Sequence, residues 1–326
     1  MSAVAAIWTS HALKRWVKLA LPLLPAALQR KLRDAAGRRR LADARSRRQR
    51  THFSIEDSAR ALDRLGLSGD LMIHSSILNI GKLKDGTPAD LVRQVMSRLD
   101  LSAVTLLAPA LPFNASMKEY MDRCTGFDVR SAPNAMGAMA NVLMHQPGCL
   151  RSLHPSHSVI ALGARAAQYV EGHENDPTPF GPNSPFAKLT RNGGKILMFG
   201  VGLNSVTSNH VYEDMLGTMV PFDVYLAPRY EVPCVDRSGQ RVVVRTYCHA
   251  PFLAARRDCE RARKSLERGG HLRTERIGES EISLLDARGH TVTLLEMLLE
   301  GDSIYGPVSL SAAQAAKVSK CLSELR

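Results

Sequence analysis

Residues 200–214, GVGLNSVTSNHVYED, run from a strand end through a Gly/Asn/Ser loop into a helical pattern and place His210 three residues before Glu213. On a helix that spacing puts both side chains on one face. An imidazole beside a carboxylate makes a base that works near neutral pH, because the carboxylate selects the ring tautomer and stabilises the imidazolium once formed. The same spacing also describes a structural pair on a helix surface. Two further segments concentrate donors next to apolar runs. HSSILNIG (74–81) offers two hydroxyls and a short Gly-terminated loop, suited to a ligand's phosphates or amide chain or to a simple turn. LRSLHPSHSVIALG (150–163) crowds Arg151, Ser152, His154, His157 and Ser158 before a buried run.

Other chemistries are not indicated. The chain has no GxSxG elbow, no GxGxxG fingerprint and no GxxxxGK[ST] loop. Its six cysteines (Cys124, Cys149, Cys234, Cys248, Cys259, Cys321) form no CxxC and no zinc-ligand spacing, so they read as free thiols of a reducing cytoplasm.

The elements that must carry these residues follow from hydrophobic patterning. Ser54-Ile55-Glu56-Asp57 is a capping box opening a helix to about Leu65, and Thr87 with Asp90 opens another to about Leu99. Leu71 to Ile73, Ala103 to Leu107, Val159 to Leu162 and Lys195 to Val201 read as buried strands, and Asn134 as the start of a helix to about His145. Buried runs alternating with amphipathic helices predict an α/β fold with a mainly parallel central sheet flanked by helices. Phe222 to Leu226, Tyr230 to Val235 and Arg241 to Cys248 predict an antiparallel extension with a hairpin turn at 236–239. Helices are expected at about 251–268, 291–300 and 309–325. Ligands of open α/β sheets gather at the carboxyl ends of strands, where all three polar segments fall.

The formal net charge of +12 is local: residues 1–50 hold 13 Lys and Arg against two Asp, a net +11. The organisation expected is a basic amphipathic extension and linker (1–50) followed by one catalytic domain (51–326), whose near-neutral balance does not suggest nucleic acid. Trp8, Trp16, Lys14, Arg15 and Lys18 precede an apolar run from Leu19 to Leu28, and residues 38–50 form a basic linker. Indole rings and cations favour a lipid headgroup region, so the extension reads as a membrane-surface segment or as a disordered or partner-bound tail. The run is about half the roughly 20 apolar residues a membrane span needs. The protein is expected in the cytoplasm, with possible peripheral contact at the inner face of the membrane.

Taken in order, HSSILNIG after the first strand, PGCLRSLHPSHSVIALG at 147–163 and FGPNSPFAKLTRNGGKILMFGVGLNSVTSNHVYE at 180–213 resemble the aminoglycoside 3-N-acetyltransferase (antibiotic N-acetyltransferase) family over about residues 53–308. The resemblance implies a fold unrelated to the GNAT acetyltransferases and acetyl-coenzyme A as co-substrate. It also implies direct transfer without a covalent acyl-enzyme or a metal, with His210 as base and Glu213 orienting it. It assigns coenzyme contacts to Ser75, Ser76, Ile77, Ser152, His154, Ser158 and Thr207. The chain departs from the family in Asn209 before the histidine and in the Trp-bearing extension. Aminoglycosides are polycations served by acidic pockets; Glu119, Asp122, Asp128 and Asp214 could contribute, but the body is not acidic. The acceptor expected is therefore an amino sugar of a surface-polysaccharide precursor, lipid- or nucleotide-linked. The alternatives are an aminoglycoside 3-N-acetyltransferase conferring resistance, an inactive membrane- or nucleic-acid-binding relative, or an amide hydrolase.

Overall fold

Short runs of branched apolar residues become the strands of one seven-stranded sheet in the computed structural model, which describes residues 51–114, 116–278 and 280–326 together with Ala35, Ala42 and Ser46. The readings of the N-terminal extension, with Trp8, Trp16 and the 38–50 linker, lie outside the described residues. The strands are β1 (Leu71–Ser75), β2 (Thr105–Pro109), β3 (Leu150–Arg151), β4 (Val159–Gly163), β5 (Lys195–Phe199), β6 (Leu272–Ile277) and β7 (Ser280–Asp286). Their order is β6-β7-β5-β1-β2-β4-β3.

Only the central pairs β1–β5 and β1–β2 are parallel; β6–β7, β7–β5, β2–β4 and β4–β3 are antiparallel. The expected mainly parallel sheet is thus corrected to a mixed, mostly antiparallel one. Connection length explains two of these pairs, β3–β4 and β6–β7. A parallel crossover needs a dozen or more residues, whereas seven separate Arg151 from Val159 and two separate Ile277 from Ser280. Apolarity on both faces cannot distinguish the two senses, because both faces are covered. Side chains alternate along each strand: Met72, Leu107, Ala161, Ile196 and Met198 join one core, and Leu71, Ile73, Leu106, Ile160, Leu197 and Phe199 the other.

The second core is closed by the helices Ile55–Leu65, Pro88–Met96 and Ala138–Met144, the first by Ala166–Val170, Pro185–Arg191, Ala287–Leu299 and Ala312–Leu325. Both expected capping boxes form: Ser54 Oγ accepts from the Asp57 amide at 3.0 Å while Asp57 Oδ2 accepts from the Ser54 amide at 2.8 Å, and Thr87 and Asp90 repeat the arrangement. Asn134 instead caps a turn, accepting from the Met136 amide, and the helix waits until Ala138.

The antiparallel extension is the hairpin Tyr230–Val235/Arg241–Thr246, joined by Phe127–Asp128 and packed on its own small core of Met121, Val232, Cys234 and Val244. Phe222 to Leu226 is no strand; it contributes a single antiparallel bridge between Tyr225 and His249. The helix expected over 251–268 breaks into Pro251–Arg256, a 3-10 turn Cys259–Ala262 and Arg263–Arg268. Tertiary bonds win there, the Asp258 amide donating to Ile304 O at 2.8 Å and the Cys259 amide to Asn204 Oδ1 at 2.9 Å.

All six cysteines are free thiols. Among the described residues no helix is long and apolar enough to cross a membrane.

Candidate active site

β1 and β5 run parallel in register, with Ser75 opposite Phe199, so the loops leaving them, 76–81 and 200–210, emerge side by side. Gly200 permits the approach. Its φ is +71°, and a Cβ there would lie 2.6 Å from Ser76 O and 2.5 Å from the Ile80 side chain. Because β4 is antiparallel to β2, with Val159 opposite Pro109, the segment preceding β4, residues 152–158, reaches the same edge as the carboxyl end of β2. The three polar segments therefore share one rim of the sheet.

His210 ends a 3-10 turn, Thr207–His210, and leads into the helix Val211–Leu216. The turn is braced by Asn209, whose Nδ2 donates to Leu203 O at 2.9 Å and Val206 O at 2.6 Å. The departure from the family pattern at Asn209 is thus a loop staple. His210 Nδ1 lies 2.8 Å from Glu213 Oε2, and Tyr305 donates its hydroxyl to Glu213 Oε1 at 2.6 Å. Glu213 is 1% exposed and His210 6%. Arg257 Nη1 lies 2.5 Å from His210 Nε2. A guanidinium can only donate, so Nε2 carries the lone pair and Nδ1 the proton given to Glu213.

Burial pushes Glu213 up to about 8, opposed by the Tyr305 hydrogen bond and by Arg257. Burial, and then Arg257, push His210 well below its ordinary value. Next to this pair, the His249 ring lies 4.2 Å from that of His210, centroid to centroid, and stacks on Tyr225 at 4.7 Å. His249 Nε2 is 4.0 Å from Glu213 Oε2. Phe180 packs against both imidazoles at 5.0 and 5.3 Å. His210, Glu213 and His249 each bring a ligand atom within 4.8 Å of the others. A cation there would have to displace a partner His210 already holds, Glu213 at Nδ1 or Arg257 at Nε2.

The expected coenzyme residues divide in two. Ser75, Ser76 and Ile77 are half-buried at the end of β1 and the start of the short helix Ile77–Ile80, and Thr207 is half-buried at the start of the 3-10 turn. Ser152, His154 and Ser158 are fully buried, and their polar atoms are taken by protein partners. Ser152 Oγ bonds His173 Nδ1 and the Val159 amide, both at 2.9 Å. His154 Nδ1 accepts from the His157 amide at 3.1 Å, and its Nε2 faces Thr246 Oγ1 at 3.2 Å. Ser158 donates to Ala110 O at 2.7 Å and accepts from Arg151 Nε at 2.9 Å. Of the carboxylates considered for an acidic pocket, Asp122 pairs with Lys118 and Asp128 with Arg130. Asp214 is bound by Thr178 and Tyr225, and burial pushes it up to about 7. Glu119 lies on the helix Met117–Met121.

Sequence reasoning missed Tyr305, Arg257, His249 and Phe180. Tyr305, Arg257 and His249 stand in no motif, and Phe180 opens the 180–213 segment only as an apolar residue; each is brought to His210 by tertiary packing.

A buried histidine–glutamate pair at the rim of a mixed α/β sheet has the geometry that general-base chemistry requires. The aminoglycoside 3-N-acetyltransferase family model matches residues 72–298, and the chain belongs to that family. It is 30% identical over 194 residues to aminoglycoside N(3)-acetyltransferase III of Salmonella sp, covering 55% of this chain and 65% of that protein. To the type III enzyme of Serratia marcescens it is 29% identical over 201 residues, covering 57% and 72%. Among solved structures, AAC-VIa bound to sisomicin matches with a TM-score of 0.58 and 28% identity over 74% of this chain and 96% of that one. AAC-IIIb in binary complex with CoASH matches with a TM-score of 0.59 and 24% identity over 78% and 100%.

Proposed function

We propose that the protein transfers the acetyl group of acetyl-coenzyme A to an amino group of an amino sugar, with aminoglycosides as the first acceptor class to test. The observation that carries this is the His210–Glu213 pair at the rim where the loops after β1 and β5 meet. Family membership supports the donor, and an AAC-IIIb structure contains CoASH. The relatives are aminoglycoside enzymes, and none supports the polysaccharide-precursor acceptor expected from the extension.

In this reading Ser75, Ser76, Ile77 and Thr207 hold the coenzyme directly, whereas Ser152, His154 and Ser158 shape the loop that borders it. The acceptor amine donates to His210 Nε2 and attacks the thioester carbonyl. His210 takes its proton while Glu213 stabilises the imidazolium, and the proton passes to the departing thiolate. Residues 51–326 form the catalytic domain. The basic, tryptophan-bearing residues 1–50 suit an anionic lipid surface; deleting them should abolish sedimentation with anionic vesicles, and unchanged sedimentation would reject that role.

The test is free-thiol release from acetyl-coenzyme A with a panel of aminoglycosides and nucleotide-linked amino sugars. Acceptor-dependent release ranks the substrates. No release with any amine, together with no coenzyme binding by calorimetry, overturns the assignment.

A further inference from the structure

Arg257 stands where a cation is costly. Its guanidinium donates to the lone pair of the proposed base, and among the described residues it makes no ion pair with a carboxylate. Left there, its charge opposes protonation of His210 and also of His249, although it favours the charged form of Glu213. A half-buried cation is costly without a charge partner, and such a donor is well placed to stabilise negative charge that develops only during a reaction.

The surrounding backbone anchors the segment that carries Arg257 and leaves its guanidinium bonded only to His210 among the described residues. Arg257 is the last residue before the bonds of Asp258 to Ile304 O and of Cys259 to Asn204 Oδ1. Arg261 adds a bond from its Nε to Ser303 O at 2.8 Å. The strap 257–261 is thereby stitched to the segment 303–305, which carries Tyr305, the partner of Glu213. Arg257 and Tyr305 thus grip opposite ends of the His210–Glu213 pair from two segments bonded to each other.

Resting on the transferase reading, we infer that Arg257 is a further catalytic residue, whose guanidinium passes from His210 Nε2 to the thioester oxygen as that oxygen becomes an oxyanion. When the amine arrives, its N–H takes the Nε2 lone pair. The nitrogen lone pair forms the C–N bond, the carbonyl π pair moves onto oxygen, and the amine proton moves to Nε2. Arg257, released beside His210, donates to the oxyanion. The oxygen pair then re-forms the carbonyl, the C–S bond breaks, and the thiolate takes the proton from His210. Acetamide and free thiol result, and Arg257 returns to the neutral imidazole. The diphosphate of the coenzyme is a whole pantetheine arm from its thioester, so it is not the anion Arg257 serves.

The experiment is steady-state kinetics of Arg257→Gln, Arg257→Ala and Arg257→Lys beside wild type, with folding checked by circular dichroism. Losing a donor to a developing oxyanion should lower kcat on the order of 10²-fold while leaving KM for both substrates nearly unchanged. Lysine should retain part of the rate. Guanidinium ion added below denaturing concentration should restore part of the Arg257→Ala rate without stimulating wild type. A kcat within about twofold of wild type in Arg257→Gln, or a loss confined to KM for the acceptor, overturns the inference while the transferase reading stands. Absence of wild-type turnover with every amine overturns both.

Discussion

Glu213 is held at both oxygens, by His210 Nδ1 at 2.8 Å and by the Tyr305 hydroxyl at 2.6 Å, with 1% of its surface exposed. A carboxylate so placed cannot reorient without breaking a buried hydrogen bond, so it fixes the imidazole with Nε2 toward the rim. Glu213→Gln preserves shape but removes the charge that stabilises the imidazolium once pH exceeds the value of about 8 to which burial raises Glu213. Its kcat should fall on the order of 10²-fold with little change in coenzyme affinity, and a rate equal to wild type would show that Glu213 is only structural.

Tyr305→Phe removes the donor to Glu213 Oε1 while filling the same space. A buried acceptor left without its partner costs about 1–3 kcal/mol. Urea unfolding should register that loss as a lower midpoint with an unchanged slope; an unmoved midpoint would mean that water or another group takes the place of the phenol.

Ser75 and Ser76 should act on coenzyme affinity alone. A hydrogen bond of about 0.5–1.5 kcal/mol corresponds to a roughly 2- to 12-fold weakening of binding for each alanine substitution. Ser152→Ala should act oppositely, lowering stability by about 1–3 kcal/mol because His173 and the Val159 amide lose their shared partner. Titration calorimetry with coenzyme A, paired with thermal melts, separates the two effects, and equal coenzyme weakening in all three variants would contradict the division.

Stability should fall in mild acid. Burial pushes His74 down to about 4 and His173 to about 3, and His154 and His157 well below 6.5. Their folded values lie below the unfolded one, so their contribution is complete above pH 6.5 and is lost as pH falls toward 4. Glu213, raised to about 8, and Asp214, raised to about 7, run the other way, stabilising most in acid and fading as pH rises through those values. The histidines outnumber the two carboxyls, so the urea midpoint should drop between pH 6.5 and 4.5; a midpoint flat or rising over that range would contradict this balance.

Much of the candidate site's geometry was legible because it rests on local spacing. The two capping boxes, the hydroxyls at the end of β1 and the three-residue interval from His210 to Glu213 are properties of contiguous residues. What failed depended on distant pairing. The sense of β3 and β4 could not be read from their apolarity, only from the seven residues joining Arg151 to Val159. Tyr305 is 92 residues from Glu213, and Arg257 is 47 from His210, reached because tertiary bonds at Asp258 and Cys259 break a pattern that otherwise reads as continuous helix. Asn209, read as a departure from the family pattern, is a staple whose two carbonyl partners lie within six residues of it.

The central claim is that His210 is the base of acetyl transfer, and its most direct test compares acceptor-dependent thiol release from acetyl-coenzyme A by wild type and His210→Ala, with coenzyme binding measured in both. The account predicts a rate loss on the order of 10²- to 10⁴-fold at unchanged coenzyme affinity. His210→Ala protein that binds coenzyme and turns over at the wild-type rate would contradict it.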